Sequence, residues 1–184
     1  MKKKIFSYQQ IILFVTSLSF SFYLLGYDNF NFSNQSWLIN GDLAQYQLGW
    51  KFYREDIWRF PLGLNPNYGI TNSSSIIYSD SIPLFAIFFK ILKSFLSEDF
   101  QYFSFWIFIC IYLQALFSFK IIYYLTKNIN FSIIATSFFL FTPILFQRLE
   151  MHLSLGAHWL IIAYIYVEIN TKIKNRFFLK VILI

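Results

Sequence analysis

The stretch S-I-P-L-F-A-I-F-F-K-I-L-K-S-F-L-S, from Ser81 to Ser97, decides how this chain is arranged. As an α-helix of about 17 residues it would extend about 25 Å, which is shorter than the hydrocarbon core of a bilayer. Its small or polar residues and its large apolar residues fall on different helical faces. The first set is Pro83, Ala86, Lys90, Lys93, Ser94 and Ser97; the second is Ile82, Phe85, Phe89, Leu92 and Leu96. The pattern predicts an amphipathic helix that lies in the membrane interface and does not cross the membrane.

The remainder of the chain has the composition of a membrane protein. Hydrophobic residues make up 57% and charged residues 13% of its 184 residues, and the mean hydropathy is +0.51. The net charge of +6 does not indicate nucleic-acid binding, because the basic residues lie at the ends of apolar segments and form no recognisable binding motif. Membrane lipids are therefore the expected surroundings, and nucleic acid is not an expected partner.

The order of segments predicts an all-α, polytopic transmembrane helical bundle with three regions. Residues 1–25 form a retained first transmembrane helix, and residues 26–98 form a long outer loop that ends in the interfacial helix. Residues 99–184 form further transmembrane helices. The expected spans are about Gln101–Leu125, Asn130–Phe146 and Leu153–Ile169, with another beginning near Phe177. Because the chain stops inside an apolar run, we expect it to be the truncated N-terminal part of a longer protein.

Charge bias supports a topology in which Ser81–Ser97 does not cross. Both short loops, Thr126–Ile129 and Asn170–Asn175, then face the cytoplasm together with the N-terminal lysines. The basic residues that this topology collects are Lys127, Lys172, Lys174 and Arg176. The topology places residues 26–97 and 147–158 on one outer face, which is the face of a bacterial cytoplasmic membrane where we expect the active site.

Two carboxylates in the outer loop are the first candidate catalytic residues. Asp42 follows Gly41 at the start of a predicted helix, Gly41–Trp58, and Asp80 precedes the interfacial helix. Either residue could simply cap or stabilise a helix N-terminus. Alternatively, Asp42 is a general base whose pKa is tuned by partial burial, and Asp80 faces it. Such a pair could shuttle a proton, or it could hold a divalent metal ion as a cofactor. Both roles are open from the sequence.

The second constellation is Q-R-L-E-M-H-L-S-L-G-A-H-W-L-I, from Gln147 to Ile161. It holds Arg148, Glu150, His152 and His158 between two expected spans. The histidines are six positions apart, so they do not share a helix face as in a zincin-type metal site. A guanidinium matches the geometry of a phosphate, so Arg148 is a candidate phosphate ligand. The alternative is that these are ordinary polar residues of the membrane interface.

The motifs G-D-L-A-Q-Y (Gly41–Tyr46), S-D-S-I-P-L with the following Phe100–Tyr102, and H-L-S-L-G-A-H-W resemble the GT-C superfamily of membrane glycosyltransferases, in particular an uncharacterised bacterial family of that type. The resemblance implies a sugar transfer from a polyprenyl-phosphate-type, lipid-linked donor to an acceptor. It implies Asp42 as the base, with the Glu55–Asp56 pair as an alternative, and Asp80 as a second catalytic acidic residue. It further implies a set of substrate-binding residues: Gln45, Tyr46, Arg148, Glu150, His152 and His158.

Two other functions remain open from the sequence. A membrane transporter or lipid flippase would line a path through the spans with polar residues, and it would need ionisable groups near the membrane midplane. An inactive fragment or scaffold would need no site at all.

Overall fold

The structure, a computed structural model, describes residues 2–69 and 73–170. This part of the chain is mostly helical, as predicted. Its α-helices are α1 (Lys2–Leu25), α2 (Gly41–Glu55), α3 (Pro83–Ile91), α4 (Phe103–Thr126), α5 (Ile129–Leu140), α6 (Pro143–Met151) and α7 (Trp159–Asn170). One short antiparallel pair departs from the all-α prediction: β1 (Leu64–Asn65) pairs with β2 (Ser74–Ser75).

Two of the described helices, α1 and α4, are long and apolar enough to cross a membrane. The predicted span Asn130–Phe146 is wrong as one continuous helix. It is divided into α5 and α6, which meet at 52° and are long and apolar enough to cross a membrane only when taken together. Pro143 explains the break, because its ring leaves the helix without one N–H donor and restricts the residue before it. The stretch Leu153–Ile169 is apolar but too short to cross a membrane as a straight helix. The span expected near Phe177 lies outside the described residues.

The chain forms two compact units. The helix unit contains residues 2–24, 107–147 and 156–170 of the described chain, and the loop unit contains Leu25–Trp106 together with Arg148–Leu155. The loop unit begins where the predicted outer region begins. It extends to Trp106 instead of residue 98, and it takes in a segment that lies far along the sequence.

The helix unit buries small and polar side chains beside apolar ones such as Leu13 and Ile111, and many of its other large apolar side chains are exposed. Its buried polar residues are Gln9, Ser17, Ser21, Gln114, Ser118, Ser132 and Thr136. Its exposed apolar residues include Ile11, Phe14, Val15, Phe131, Ile134 and Phe138. Helices surrounded by lipid show this pattern, because lipid tails accept apolar side chains while small residues allow close helix packing. The burial pattern therefore agrees with the membrane composition of the sequence.

Gln114 makes a hydrogen bond between two helices of the helix unit. The Gln114 amide of α4 donates to the Phe139 carbonyl of α5 at 3.4 Å. The hydroxyls of Thr136, Ser137 and Thr142 instead donate to carbonyls three or four residues earlier in the chain. A hydroxyl that can reach the preceding helical turn needs no partner on another helix.

An aromatic cluster forms the core of the loop unit. Trp50 of α2 packs edge-on against Tyr102, with ring centroids 5.0 Å apart. Phe89 of α3 stacks on the Tyr102 ring, with ring centroids 5.3 Å apart. The Trp50 indole donates to the Phe100 carbonyl at 3.0 Å. The cluster joins α2, α3 and the start of α4 in one packed body.

Arg54, a charged residue near the end of α2, is buried. Its side chain is only 5% exposed, and its guanidinium donates to the carbonyls of Lys93, Leu96, Ser97 and Glu98 at 2.6–3.5 Å. These carbonyls belong to the segment after α3, and those of Lys93 and Ser97 also accept backbone N–H groups. Arg54 therefore fastens α2 to the segment after α3. Asp56 is buried as well, and it accepts from Arg59 at 2.8 Å.

The predicted faces of α3 are only partly correct: Lys93, Ser94 and Ser97 of the expected polar face are exposed, but two other residues of that face are not. Ala86 and Lys90 of the expected polar face are buried, and the Lys90 ammonium lies 4.1 Å from the centre of the Tyr53 ring and 3.2 Å from the Ile57 carbonyl oxygen. Burial lowers the pKa of Lys90. The exposed stripe is apolar and consists of Leu84, Phe88, Ile91 and Phe95.

We expect Arg54→Met to lower the stability of the protein by about 2–3 kcal/mol, because it leaves several carbonyls of the loop unit without their charged donor. Thermal unfolding of the detergent-solubilised protein, followed by size-exclusion chromatography, would measure the change. Lys51→Met is the matched control, since Lys51 is an exposed residue of the same helix. Equal melting temperatures for the two variants would contradict the role given to Arg54.

Candidate functional site

The first turn of α2 holds Asp42. Gly41 has a φ of +57°, a left-handed conformation that glycine adopts without a steric penalty. The N-cap position is Asn40, so Asp42 is not the cap residue, although it lies in the first turn where the helix dipole favours a negative charge. The Asp42 side chain is 61% exposed. Asp42 is therefore more exposed than expected.

His152 meets Asp42 within the loop unit. Its Nδ1 atom lies 3.4 Å from Asp42 Oδ2, and its side chain is 37% exposed. The contact joins the start of α2 to the segment Arg148–Leu155. The sequence placed both residues on one outer face, and the structure adds that their side chains are adjacent.

Two hydrogen bonds and two buried side chains hold the segment Arg148–Leu155 in the loop unit. The Trp106 indole donates to the Leu153 carbonyl at 2.7 Å, and the Tyr46 hydroxyl donates to the Met151 carbonyl at 3.4 Å. Leu149 and Leu153 are buried. His152 lies between two anchored residues, so its position next to Asp42 follows from these contacts.

A pocket of about 310 Å³ opens beside Asp42. Its lining residues are Asn40, Gly41, Asp42, Leu43, Glu150 and Met151. The carboxylates of Asp42 and Glu150 thus share one concave surface with two apolar side chains, Leu43 and Met151. A pocket with this lining can hold a polar group such as a hydroxyl near a carboxylate acceptor.

Asp80 lies in a tight turn next to α2. Asp80 and Ile82 both have left-handed φ values, of 53° and 52°, and the buried hydroxyl of Ser81 between them donates to the Tyr46 carbonyl at 2.7 Å. The Tyr102 hydroxyl donates to the Ser81 carbonyl. The cap position of α3 is Ile82 and carries no side-chain hydrogen bond, so Asp80 does not have the capping role that was its alternative interpretation.

The charges of both carboxylates affect the pKa of the Tyr46 phenol. Burial raises the pKa of its phenol, and the negative charges of Asp80 and then Asp42 raise this pKa further, while a hydrogen bond with Ser154 lowers it. Asp42 and Asp80 therefore act on the same hydroxyl. The hypothesis that the two acidic residues belong to one site is consistent with this shared effect.

The other predicted site residues have different positions. The Gln45 amide donates to the Tyr78 carbonyl at 3.1 Å, and Tyr46 is buried, so both residues make positioning contacts. Arg148 is half-buried and belongs to the loop unit. His158 belongs to the helix unit, ahead of α7. Substrate binding by these four residues remains a prediction.

In the alternative base, the Glu55–Asp56 pair, Asp56 does not suit the role. Asp56 is buried against Arg59, and this hydrogen bond lowers the pKa of the Asp56 carboxyl. A lowered pKa makes a carboxylate a weaker base. As for metals, residues 2–69 and 73–170 contain no group of three or more His, Cys, Asp or Glu side chains placed to hold an ion.

Sequence reasoning missed the residue that allows the Asp80 turn to approach α2. A Cβ atom on Gly49 would overlap the side chain of Ser79 and come 2.5 Å from the Ser81 hydroxyl oxygen. The available signal was an isolated glycine inside a helical pattern, which often has a packing reason. Gly49 therefore sets the distance between the helix that carries Asp42 and the turn that carries Asp80.

The chain matches the family described as Domain of unknown function (DUF6311) over residues 14–184. It belongs to this family. None of the curated proteins matches the chain, and none of the solved structures matches it.

We expect Gly49→Ala to destabilise the protein by about 1–3 kcal/mol, because the new methyl group overlaps Ser79 and Ser81. The sign is diagnostic, since the same change in an open helix position stabilises by about 0.5–1 kcal/mol. Thermal unfolding in detergent would measure it. The double variant Gly49→Ala/Ser79→Gly removes part of the overlap and should recover part of the loss; a Gly49→Ala variant as stable as the parent would contradict the close approach.

Proposed function

We propose that this protein is a GT-C-type membrane glycosyltransferase that moves a sugar from a polyprenyl-phosphate-type donor to an acceptor hydroxyl at the outer face of the bacterial cytoplasmic membrane. The observation that carries the proposal is the Asp42–His152 contact at the edge of a pocket that also holds Glu150. An exposed carboxylate that lies beside an imidazole and lines a pocket is suited to accepting a proton from a hydroxyl.

The proposed reaction is a single displacement at the anomeric carbon. Asp42 accepts the proton of the acceptor hydroxyl while the hydroxyl oxygen forms its bond to the anomeric carbon. The bond from that carbon to the phosphate oxygen breaks, and the electron pair leaves with the polyprenyl phosphate. The attack comes from the face opposite the phosphate, so the anomeric configuration is inverted.

His152 and Arg148 have separate roles in this proposal. The His152 imidazole lies 3.4 Å from the carboxylate and orients Asp42 toward the pocket. Arg148 lies one helical turn before His152, whose backbone N–H donates to the Arg148 carbonyl at 2.9 Å. A guanidinium at this point would stabilise the negative charge that develops on the departing phosphate.

The surface of α3 supports a location at the membrane. Leu84, Phe88, Ile91 and the following Phe95 form an exposed apolar stripe with helical spacing. An interfacial helix presents such a stripe to the acyl chains. In this proposal the loop unit rests on the outer leaflet through this stripe, which suits a donor whose sugar is attached to a membrane-embedded lipid.

The transporter alternative receives less support. A transport path through the membrane is expected to place ionisable residues near its centre. The window Tyr8–Leu25 of α1 contains no Asp, Glu, Lys or Arg, and Lys120 is the one such residue in α4. The candidate acidic residues Asp42, Asp80 and Glu150 belong instead to the loop unit.

We expect Asp42→Asn to reduce sugar transfer by roughly 10²–10⁴-fold, the usual contribution of a general base. Transfer from a radiolabelled polyprenyl-phosphate sugar by the purified protein would measure the rate. Asp99→Asn is the matched control, because Asp99 is an exposed residue of the loop unit outside the pocket. Full activity of Asp42→Asn would remove the proposed base, and equal losses in both variants would show that the change is not specific to the site.

The proposed topology is tested by single cysteines at positions 128 and 152 in a background in which Cys110 is replaced by Ala. A membrane-impermeant maleimide added to intact cells should label position 152 and spare position 128, because the first faces outward and the second faces the cytoplasm. A permeant maleimide should label both positions and serves as the control. Labelling of position 128 with protection of position 152 would place the candidate site on the wrong side.

A further inference from the structure

A second pocket lies within the helix unit, apart from the residues of the candidate site. It has a volume of about 490 Å³. Its lining residues are Tyr8, Gln9 and Ile12 of α1, Asn128, and Ile129, Asn130 and Ile133 of α5. We propose that this pocket binds the headgroup of an anionic membrane phospholipid.

The location of the pocket favours a lipid headgroup. The apolar window of α1 begins at Tyr8, and the apolar helix α4 ends at Thr126, two residues before Asn128. The pocket is therefore lined by residues at the boundary between apolar and polar chain. At this depth the phosphate and glycerol of a phospholipid are the abundant polar groups.

The position of the Gln9 side chain indicates that the pocket binds a ligand. Its side chain is 4% exposed, it lines the pocket, and among the described residues its amide has no hydrogen-bond partner. Because the Gln9 amide atoms are not completely buried and make no hydrogen bond within the described protein, they can bind a polar group that enters the pocket. Its NH₂ group supplies two donors, which a phosphate oxygen can accept.

The start of α5 adds further donors. The Asn128 side chain accepts from the Phe131 N–H at 3.1 Å, and the Asn128 carbonyl accepts from Ser132. The N–H groups of Ile129 and Asn130 lie in the first turn, where a helix has no acceptors of its own. A helix N-terminus with free N–H groups favours an anion. It is independent of Gln9, which lies on another helix.

The charge and the apolar residues indicate what kind of anion fits. Lys127 immediately precedes the pocket residues, and Lys2, Lys3 and Lys4 precede α1's apolar window in sequence. Basic residues at this depth attract anionic lipids. Ile12, Ile129 and Ile133 provide an apolar wall, which a free phosphate would leave unused and the first methylenes of an acyl chain would cover.

The test uses the full chain in phosphatidylcholine vesicles that contain a small fraction of phosphatidylglycerol with a photoactivatable headgroup. We expect crosslinks to peptides that contain residues 8–12 or 128–133. Gln9→Leu should reduce crosslinking roughly fivefold to tenfold, because it removes the buried donors. Gln10→Leu, the same change at the exposed neighbouring residue, should leave it unchanged.

A second pair of variants separates ligand loss from misfolding. Ile133→Trp fills the pocket and should also abolish crosslinking, whereas Ile134→Trp places the same side chain at an exposed position of α5 and should not. Equal crosslinking of Gln9→Leu and Gln10→Leu would overturn the proposal. So would equal labelling by a phosphatidylcholine probe, which would show no preference for an anion, or complete competition by millimolar inorganic phosphate, which would show a free-phosphate site.

Discussion

The attachment of the segment Arg148–Leu155 to the loop unit is the constraint on which the candidate site depends. Asp42 and His152 are far apart in sequence, and they meet because Trp106 and Tyr46 bind the backbone of Leu153 and Met151. Both bonds involve a buried aromatic residue donating to a main-chain carbonyl. Since the acceptors are backbone atoms, the attachment fixes the path of the segment whatever side chains it carries, and His152 is the side chain that this path brings to Asp42.

The same residue, Tyr46, connects the attachment to the Asp80 turn. Its hydroxyl binds the segment that carries His152, and its backbone carbonyl accepts from Ser81 of the turn. The turn approaches α2 closely because Gly49 has no side chain. One turn of α2, from Tyr46 to Gly49, therefore positions two groups around the Tyr46 phenol: the His152 imidazole and the Asp80 carboxylate. The rise in the pKa of Tyr46 that Asp80 and Asp42 cause is the electrostatic consequence of this arrangement.

The sequence was sufficient where local rules decide the outcome. It predicted that a helix begins at Gly41 and that α1 and α4 are long apolar helices. It also predicted one helix over Ser81–Ser97, of which the structure has Pro83–Ile91 as α-helix. It was insufficient for Arg54 and Lys90, because their burial depends on carbonyls and aromatic rings contributed by distant parts of the chain. Long basic side chains look alike in sequence whether they are solvated or buried, and part of the face of α3 was misassigned for this reason.

The exposure of Asp42 determines how a transferase with this site would have to exclude water. Water around a 61% exposed carboxylate competes for its hydrogen bonds and weakens its interaction with any charge nearby. Water is also a competing acceptor for an activated sugar, so an open site would favour hydrolysis over transfer. The bound substrates must then exclude water themselves. Leu43 and Met151 border the pocket with apolar surface, and an acceptor that covers these two side chains would also cover Asp42. In the proposed reaction the base therefore acquires its low-dielectric surroundings only when the acceptor is in place, and this links proton transfer to acceptor binding.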